Sequence, residues 1–310
     1  MKKSTKNRNF KEITAVFLSK TKAKLKESTF SRYSFICEKH ILPYFENMET
    51  SKISNDSINT FIQYKLKTGG VTGKALSPKT VNDIVCLLLQ IIKPYCSFNM
   101  DINKPSCKPK EVCIFTEAEY NQLQAHLSIG TDSRKLGIII VMFTGLRIGE
   151  ICALKWENID LEKGIISVNK TIQRIKTTDT KNSKKTKIII DTPKSNTSIR
   201  SIPIHSLLLE ILKKFRTKNN YYIITNSINY IEPRIYTRHY KGYLDNCKIK
   251  DNTFHVLRHT FATMAISIGM DIKTLSVLLG HSDVSFTMKR YVHPNMEHKR
   301  AQIEKLAFDF

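Results

Sequence analysis

Apolar side chains recur every three or four residues along most of this chain, and this helical spacing is the feature that most limits its possible folds. Residues 164–204 break the pattern, because they contain short β-branched runs between polar turns. These runs are Gly164–Val168, Lys187–Ile190 and Ser198–Pro203. The sequence therefore predicts a mainly α fold with a small antiparallel β-sheet, which is an α+β class.

The length of 310 residues predicts about two domains. Residues 1–98 contain four amphipathic helical segments and predict one compact helical domain. Residues 99–113 contain two prolines and no apolar periodicity, so we expect a linker there. Residues 114–310 then form the second domain, which includes a C-terminal tail at residues 294–310.

The chain has 50 Lys and Arg against 27 Asp and Glu, which gives a formal net charge of +23. Such a charge favours a polyanionic partner, and two basic domains joined by a linker could close around a DNA duplex. The alternative is a set of solvated Lys-rich faces, and composition alone does not separate the two. The longest apolar run, residues 138–143, is far shorter than the roughly 18 residues of a membrane span. Because no secretory signal is visible, we expect a cytoplasmic protein.

Two segments place a cation beside a turn. In Thr144–Trp156, an apolar helix ends in a glycine-bearing turn, and Arg147 stands where the next helix begins. An Arg at a helix start, beside free backbone N–H groups, is well placed for a phosphate, and Glu150 lies within its reach three residues later. In Thr192–Arg200, a turn between two strands carries Lys194. Each cation alone is more often an ordinary surface residue.

Two further segments add histidines, an arginine and a tyrosine. His255 and Arg258 share a helix face at i,i+3, and Tyr291 follows His281 by ten residues. His255 and His259 at i,i+4 could indicate a metal-binding face, but no H-E-x-x-H motif or third ligand accompanies them. We therefore expect no metal, and the joint occurrence of the four segments is the informative signal.

The segments T-G-L-R-x-G-E, H-x-L-R-H-T-F-A-T and L-L-G-H-S followed by Y resemble the tyrosine recombinase family, also called the phage integrase family of site-specific DNA recombinases. The resemblance covers Phe115 to about His293 and keeps the order Arg, Lys, His-x-x-Arg, His, Tyr. It implies a tyrosine recombinase catalytic domain, preceded by a helical core-binding domain that binds DNA.

The resemblance assigns Tyr291 as the nucleophile that attacks the scissile phosphate, leaving a 3′-phosphotyrosyl link and a free 5′-hydroxyl. Arg147 and Arg258 would hold the non-bridging oxygens of the transition state. Lys194 would protonate the leaving 5′-oxygen as a general acid.

The remaining roles belong to His255, an acid or base near the tyrosine hydroxyl, and to His281, a hydrogen-bond donor to the phosphate. Glu150 would orient Arg147 or His255. Because Arg and Lys supply the charge stabilisation, the expected reaction is independent of metal and ATP, and no cofactor is expected.

The resemblance also implies partners. We expect double-stranded DNA with specific core sites, and a homotetramer on two duplexes in which the tail, residues 294–310, docks on a neighbouring protomer. Packing of that tail on its own domain is the alternative. Thr171–Lys187 is expected to be a mobile basic flap against DNA. Accessory DNA-bending or directionality proteins are further candidates. An arm-binding domain is not expected, whether the recombinase is naturally short or shortened from a longer integrase.

Several functions stay open at this point. Integration and excision of a mobile element is the first hypothesis, and Xer-like dimer resolution or DNA inversion are the alternatives. A type IB topoisomerase would share the chemistry but would relax supercoils without site preference. A DNA-binding regulator without strand transfer would use Thr260–Gly280 as a helix-turn-helix, and it would need neither Tyr291 nor Lys194.

Overall fold

A computed structural model describes the chain with gaps. The described residues are 9–95, 101–107, 112–177, 185–192, 198–291, 296, 300 and 303–304. The described part divides into two compact units, Met1–Lys110 with Ile175–Lys187 and Glu111–Arg174 with Ile188–Phe310. Within the described ranges, no helix is both long and apolar enough to cross a membrane.

The first unit is built from helices around one apolar core. Its helices are α1 (Phe10–Lys22), α2 (Glu27–Ile36), a π-helical turn (Cys37–Ile41), α3 (Leu42–Phe45), a 3₁₀ turn (Thr50–Lys52), α4 (Asn55–Lys67) and α5 (Pro78–Ile92). The Ser77 side chain caps α5 by accepting from the Thr80 N–H, and Pro78 occupies the first turn, where a missing N–H costs nothing. Phe45 packs between Phe10 and Phe61, with ring centroids 5.5 and 5.0 Å away, so α1, α3 and α4 share the core.

Among its described residues, the second unit contains eight α-helices, a 3₁₀ turn (Trp156–Asn158) and most of the strands. The helices are α6 (Glu117–Ser128), α7 (Ser133–Thr144), α8 (Ile148–Ala153), α9 (Ser206–Phe215), α10 (Pro233–Asn246), α11 (His255–Ser267), α12 (Ile272–Leu279) and α13 (Val284–Tyr291). The strands among the described residues are β1 (Ile159–Asp160), β2 (Ile165–Val168), β3 (Thr171–Lys176), β4 (Thr186–Asp191) and β5 (Arg200–Pro203).

Strands β1, β2 and β5 form an antiparallel sheet in that order, and Ile166 pairs with both Ile159 and Ile202. Strands β3 and β4 form a separate two-stranded sheet. The mainly helical fold with small antiparallel pairing is confirmed. The flap expected at Thr171–Lys187 is corrected at its ends, which are strands because β3 and β4 pair and Ile172 and Ile175 of β3 are buried. Residues 178–184 of that flap lie outside the described residues.

Helix α7 is the centre of the second core, and its glycine lets a neighbour approach closely. A Cβ at Gly137 would lie 2.4 Å from the Tyr236 hydroxyl oxygen and 2.8 Å from an Ile224 side-chain carbon. The Tyr236 hydroxyl instead donates to the Arg134 carbonyl at 2.7 Å, which fixes α10 against the start of α7. Helix α11 packs on another part of α7, and these contacts position the residues described next.

Candidate active site

The turn between α7 and α8 presents Arg147. Gly145 ends α7 in a left-handed conformation with φ +63°, and a Cβ there would lie 2.7 Å from the Phe261 ring. Only glycine suits both the φ and the close approach. The chain then enters α8, where Glu150 accepts from the Arg147 backbone N–H and from its Nη1, both at 2.9 Å. The Arg147 side chain is 32% exposed, so it lies at the site surface.

Glu150 is buried between two arginines. Arg200 Nη1 and Nη2 donate to its Oε1 and Oε2 at 3.1 and 3.0 Å, and Arg147 binds the same carboxylate. Burial alone raises the pKa of Glu150, but the hydrogen bonds and charges of Arg200 and Arg147 outweigh it and lower the pKa below its ordinary value. Glu150 is therefore ionised, and it fixes two guanidinium groups at once.

Arg200 was not predicted as a site residue. It lies in the strand that the sequence predicts, at an inward position two residues before buried Ile202. An arginine on the buried face of a strand requires an anionic partner, so strict alternation along β5 was the available signal.

Arg258 lies in the first turn of α11 and is 2% exposed. Its Nη1 donates to the Gly145 carbonyl at 2.8 Å, and its Nη2 donates to the Leu279 carbonyl at 2.7 Å. Burial, together with the charge of Arg147, lowers the pKa of Arg258 to about 9. The guanidinium remains charged at neutral pH, and its backbone partners link the ends of α7 and α12.

Three consecutive carbonyls at the C-terminal end of α12 each bind a different arginine. These contacts are Arg200 Nε to Leu278 O at 2.6 Å, Arg258 Nη2 to Leu279 O at 2.7 Å and Arg147 Nη2 to Gly280 O at 3.1 Å. The last carbonyls of a helix have no intrahelical partner, and the helix dipole places negative charge there. Gly280 has φ +65°, and a Cβ there would lie 2.9 Å from Arg200 Nη1. We call Arg147, Glu150, Arg200 and Arg258 the arginine cluster; with three guanidinium groups and one carboxylate it is cationic.

His281 follows Gly280 and is neutral. Its Nε2 is 2.8 Å from Arg258 Nη2, and its Nδ1 is 2.8 Å from Thr287 Oγ1. Arginine has no acceptor, so Nε2 accepts and Nδ1 carries the proton toward Thr287. Burial and the charges of Arg258 and Arg147 lower the pKa of His281 to about 3. In this arrangement Nε2 is an acceptor, so donation from it to a phosphate requires the ring to change partner or tautomer.

Tyr291 ends α13 and is 7% exposed. Its ring packs in a small apolar cluster formed by α11 and α12, whose other members are Ala262, Ala265, Leu275 and Leu279. Its hydroxyl lies 2.7 Å from His259 Nδ1. Burial raises the pKa of Tyr291, while the positive charges of Arg258, Arg290 and Arg147 oppose that rise.

The histidine beside the tyrosine hydroxyl is therefore His259, whereas His255 was expected there from the sequence. His255 is the first residue of α11, is exposed, and its ring centroid is 5.6 Å from that of His259. Partial desolvation and the charges of Arg258 and Arg147 lower the pKa of His255. The i,i+4 spacing of the two histidines was visible in the sequence, but it suggested only a metal-binding face.

Lys194 lies outside the described residues. Ser198, four residues later, does reach the arginine cluster, because its carbonyl accepts from Arg200 Nη1 at 3.1 Å. Among the described ranges, no group of three or more His, Cys, Asp or Glu side chains could hold a metal ion. The arrangement of cations around a hydroxyl-bearing tyrosine is suited to binding a phosphate ester and attacking it.

Comparisons with protein families match both parts of the chain. The profile described as the phage integrase family matches residues 114–298, which is more than half of the chain. The profile described as the phage integrase N-terminal SAM-like domain matches residues 9–66.

Two curated relatives match along most of their length. A XerC-like tyrosine recombinase of Caldanaerobacter subterraneus subsp. tengcongensis is 28% identical over 91% of this chain and 78% of that protein. The ICEBs1 integrase of Bacillus subtilis is 23% identical over 94% of this chain and 82% of that protein.

Solved structures share the fold. The Tn1549 transposon integrase in complex with transposon right end DNA superposes with a TM-score of 0.74 at 20% identity, covering 96% of this chain and 99% of that one. A lambda integrase dimer bound to a COC′ core site gives a TM-score of 0.65 at 15% identity, covering 93% and 78%.

Proposed function

The chain belongs to the phage integrase family of tyrosine recombinases, and from this premise we propose that it cuts and rejoins DNA at specific sites through a 3′-phosphotyrosyl intermediate. The observation that carries the proposal is the convergence of three arginines on the end of α12, with the Tyr291 hydroxyl bound to α11, the helix that also bears Arg258. A cluster that concentrates positive charge next to a tyrosine matches the requirements of phosphoryl transfer to a phenol.

The arginine cluster would bind the scissile phosphate. Among the described residues, Arg147 donates from its guanidinium to Glu150 and to the Gly280 carbonyl, which uses two of its five N–H donors. About a third of its side-chain surface is exposed to solvent. We assign it the first contact with a non-bridging oxygen. Arg258 would bind the other oxygen. Two backbone carbonyls hold its guanidinium in position before DNA arrives. Such preorganised donors stabilise the charge that grows in the transition state.

In the proposed cleavage step, the Tyr291 oxygen forms a bond to phosphorus while the bond to the 5′-oxygen breaks. The phenol proton passes to a base, for which His255 is the candidate, and the 5′-oxygen takes a proton from Lys194. His281 would donate to the phosphate after its ring exchanges partners. The reverse step, attack by a 5′-hydroxyl of another strand, releases the tyrosine and joins the DNA. No divalent metal or nucleotide takes part.

The wider function is also a proposal. The high positive charge supports a DNA partner, and residues 1–98 are assigned as a DNA-binding domain, residues 99–113 as a linker and residues 114–310 as the catalytic domain. Relatives named as integrases and transposon transposases support integration and excision of a mobile element, and relatives named as Xer recombinases keep dimer resolution as the alternative. Assembly as a homotetramer on two duplexes, with exchange of the tail at residues 294–310, remains proposed; that tail lies mostly outside the described residues.

Nicked suicide duplexes test the central claim. Duplexes made from the DNA that flanks the gene, nicked beside the candidate exchange point, lose a short 5′-hydroxyl fragment after cleavage and trap the covalent adduct. We expect an adduct in the presence of EDTA and none from Tyr291→Phe, with both proteins binding the duplex equally. A protein that binds the duplex without forming an adduct would be a regulator, and relaxation of any supercoiled plasmid without site preference would indicate a topoisomerase.

A further inference from the structure

His259 occupies a position that the proposed mechanism has not used. It directly follows Arg258 in α11, and its Nδ1 is 2.7 Å from the Tyr291 hydroxyl oxygen. The rings of His259 and Tyr291 are 5.6 Å apart and tilted by 53°, so the contact is made edge to oxygen and not by stacking. His259 therefore makes a short hydrogen bond to the oxygen that is the proposed nucleophile.

The direction of this hydrogen bond follows from the other side of the ring. Arg290 Nη2 lies 3.4 Å from His259 Nε2, and a guanidinium can only donate. Nε2 therefore accepts, and the proton of the neutral ring is on Nδ1, which donates to the tyrosine oxygen.

The surroundings keep the His259 ring neutral. Partial burial, the positive charges of Arg290 and Arg258, and the neighbouring His255 lower the pKa of His259 to about 4. Tyr291 is the remaining titratable group against the ring. A neutral, Nδ1-protonated imidazole is a hydrogen-bond donor to the phenol and a poor acceptor of its proton.

Both packing and a hydrogen bond position the Tyr291 side chain. The apolar cluster formed with α11 and α12 fixes the plane of the phenol ring, and the bond from His259 fixes where the oxygen lies. A donor to that oxygen also favours the phenolate over the phenol. The same contact can therefore position the nucleophile and stabilise its charge.

We propose that His259 is a further catalytic residue, which holds the Tyr291 oxygen through its Nδ1–H and stabilises the negative charge on that oxygen as the phenol loses its proton. His259 keeps its own proton throughout. The Tyr291 oxygen bonds to phosphorus, the 5′-oxygen leaves with a proton from the general acid, and the phenol proton goes to the base, for which His255 is the candidate. This inference rests on the proposed function, because it needs Tyr291 to be the nucleophile.

The test uses the full chain and two variants, His259→Asn and His259→Leu, which keep and remove a hydrogen-bond donor at this position. Asn at position 259 places its amide N–H close to the position of Nδ1 but cannot carry a proton between groups at neutral pH, whereas Leu fills the space without a donor. His239→Asn on α10 is the matched control, since it changes a partly buried histidine outside the site. Each protein is assayed for duplex binding and for the rate of adduct formation on nicked duplexes.

Two versions of the duplex locate the defect. In one, the leaving group is the natural 5′-oxygen; in the other it is a bridging 5′-sulfur, which leaves without needing a proton. We expect His259→Leu to slow cleavage of both by about 10²-fold, the cost of one lost donor to a reacting oxygen. We expect His259→Asn to stay within about fivefold of wild type and His239→Asn to match it.

A pH profile separates catalysis from structure. Without the donor the phenol is harder to ionise, so the cleavage rate of His259→Leu should keep rising at pH values where the wild-type rate has levelled. A purely structural role would lower the rate equally at every pH. If His259→Leu does not fold, His259→Gln serves in its place, because its longer side chain carries the amide beyond the Nδ1 position and should be nearly as slow.

Several results would overturn the inference. These are an unchanged or faster His259→Leu, recovery of its rate by the 5′-sulfur, and a His259→Asn as slow as His259→Leu, which would show proton transfer instead. Failure of the proposed function looks different, since the wild-type protein would then form no adduct, or Tyr291→Phe would still form one.

Discussion

The arginine cluster and α13 belong to the same unit but are held in place in very different ways. Glu150, Arg200 and Arg258 are almost fully buried and interlocked by ion pairs and by the carbonyls at the end of α12. Helix α13 is held by one face, with Tyr291 and Thr287 buried, while Phe286 and Met288 are 52% and 48% exposed. The part proposed to stabilise charge is thus preorganised by folding. The part that carries the proposed nucleophile is held by fewer contacts, which we expect to change without unfolding the unit.

We expect the largest loss of stability when the carboxylate at the centre of the arginine cluster is removed. Glu150→Ala leaves Arg200 buried without its anionic partner, and breaking a buried ion pair in this way costs about 3–5 kcal/mol of unfolding free energy. Denaturant titration measures the loss. Glu157→Ala, which removes an exposed ion pair with Lys155, should change stability by less than about 1 kcal/mol. A comparable small change in both variants would show that the cluster does not depend on Glu150.

Arg147 should separate rate from stability, because it is the exposed member of the cluster. We expect Arg147→Ala to lower the adduct-forming rate by about 10²–10³-fold, which is roughly 2.7–4 kcal/mol, while duplex binding stays largely intact. The unfolding free energy should fall by only about 1 kcal/mol. Arg238→Ala, on the exposed side of α10, is the control for loss of one positive charge. Equal losses of binding and cleavage in Arg147→Ala would contradict its role in the transition state.

A smaller effect is expected where α13 meets the cluster. Thr287→Val keeps the shape of a fully buried side chain but removes the oxygen that accepts from His281 Nδ1, which should cost about 1–3 kcal/mol. Hydrogen exchange should become faster in α13 and stay unchanged in α8. Exposed Ser285 provides the control as Ser285→Ala. Faster exchange throughout the unit would show that the two regions do not open separately.

A final prediction concerns the dependence of stability on pH. The pKa values of His281 and His259 are about 3 and about 4 in the folded protein, below the ordinary value of 6.5. Between about pH 3 and 6.5, the unfolded chain binds more protons than the folded protein, because its histidines have the ordinary pKa. The unfolding free energy is therefore fully retained above pH 6.5 and falls as the pH drops toward 3. The residues facing these rings are Arg258, Arg147, Arg200, Arg290, His255, Tyr291 and Thr287. Denaturation midpoints across this window should vary less in a variant carrying both His281→Asn and His259→Asn, and an identical slope would refute this account.

Much of the fold could be predicted because its signals are local. The Thr116 capping box, the Ser77 cap and the glycines that end α7 and α12 are encoded within a few residues, and α5, α6, α7 and α12 begin or end at such signals. Strand β3 was not predicted, because residues 171–187 are basic and longer than a tight hairpin needs. Its buried residues, Ile172 and Ile175, are three apart and so give no alternating pattern. The polar turns alone could not reveal how far the strands extend.

The candidate site was predictable in its residue types and less so in its contacts. The structure gathers Arg147, Glu150, Arg258, His281 and Tyr291 in one unit, while Lys194 lies outside the described residues. The roles of these residues remain proposals. Arg200 and His259 had gone unassigned because their importance depends on partners 50 and 32 residues away in sequence.

The sequence by itself determined which helices form, where glycine turns the chain, and that cations, histidines and a tyrosine occur in the order typical of tyrosine recombinases. Only the tertiary structure decided that His259 and not His255 binds the tyrosine oxygen, and that the end of α12 gathers three arginines. The physical reason is that capping and periodicity act over one or two helical turns, whereas a hydrogen-bond partner is chosen by the angle and depth at which distant helices pack.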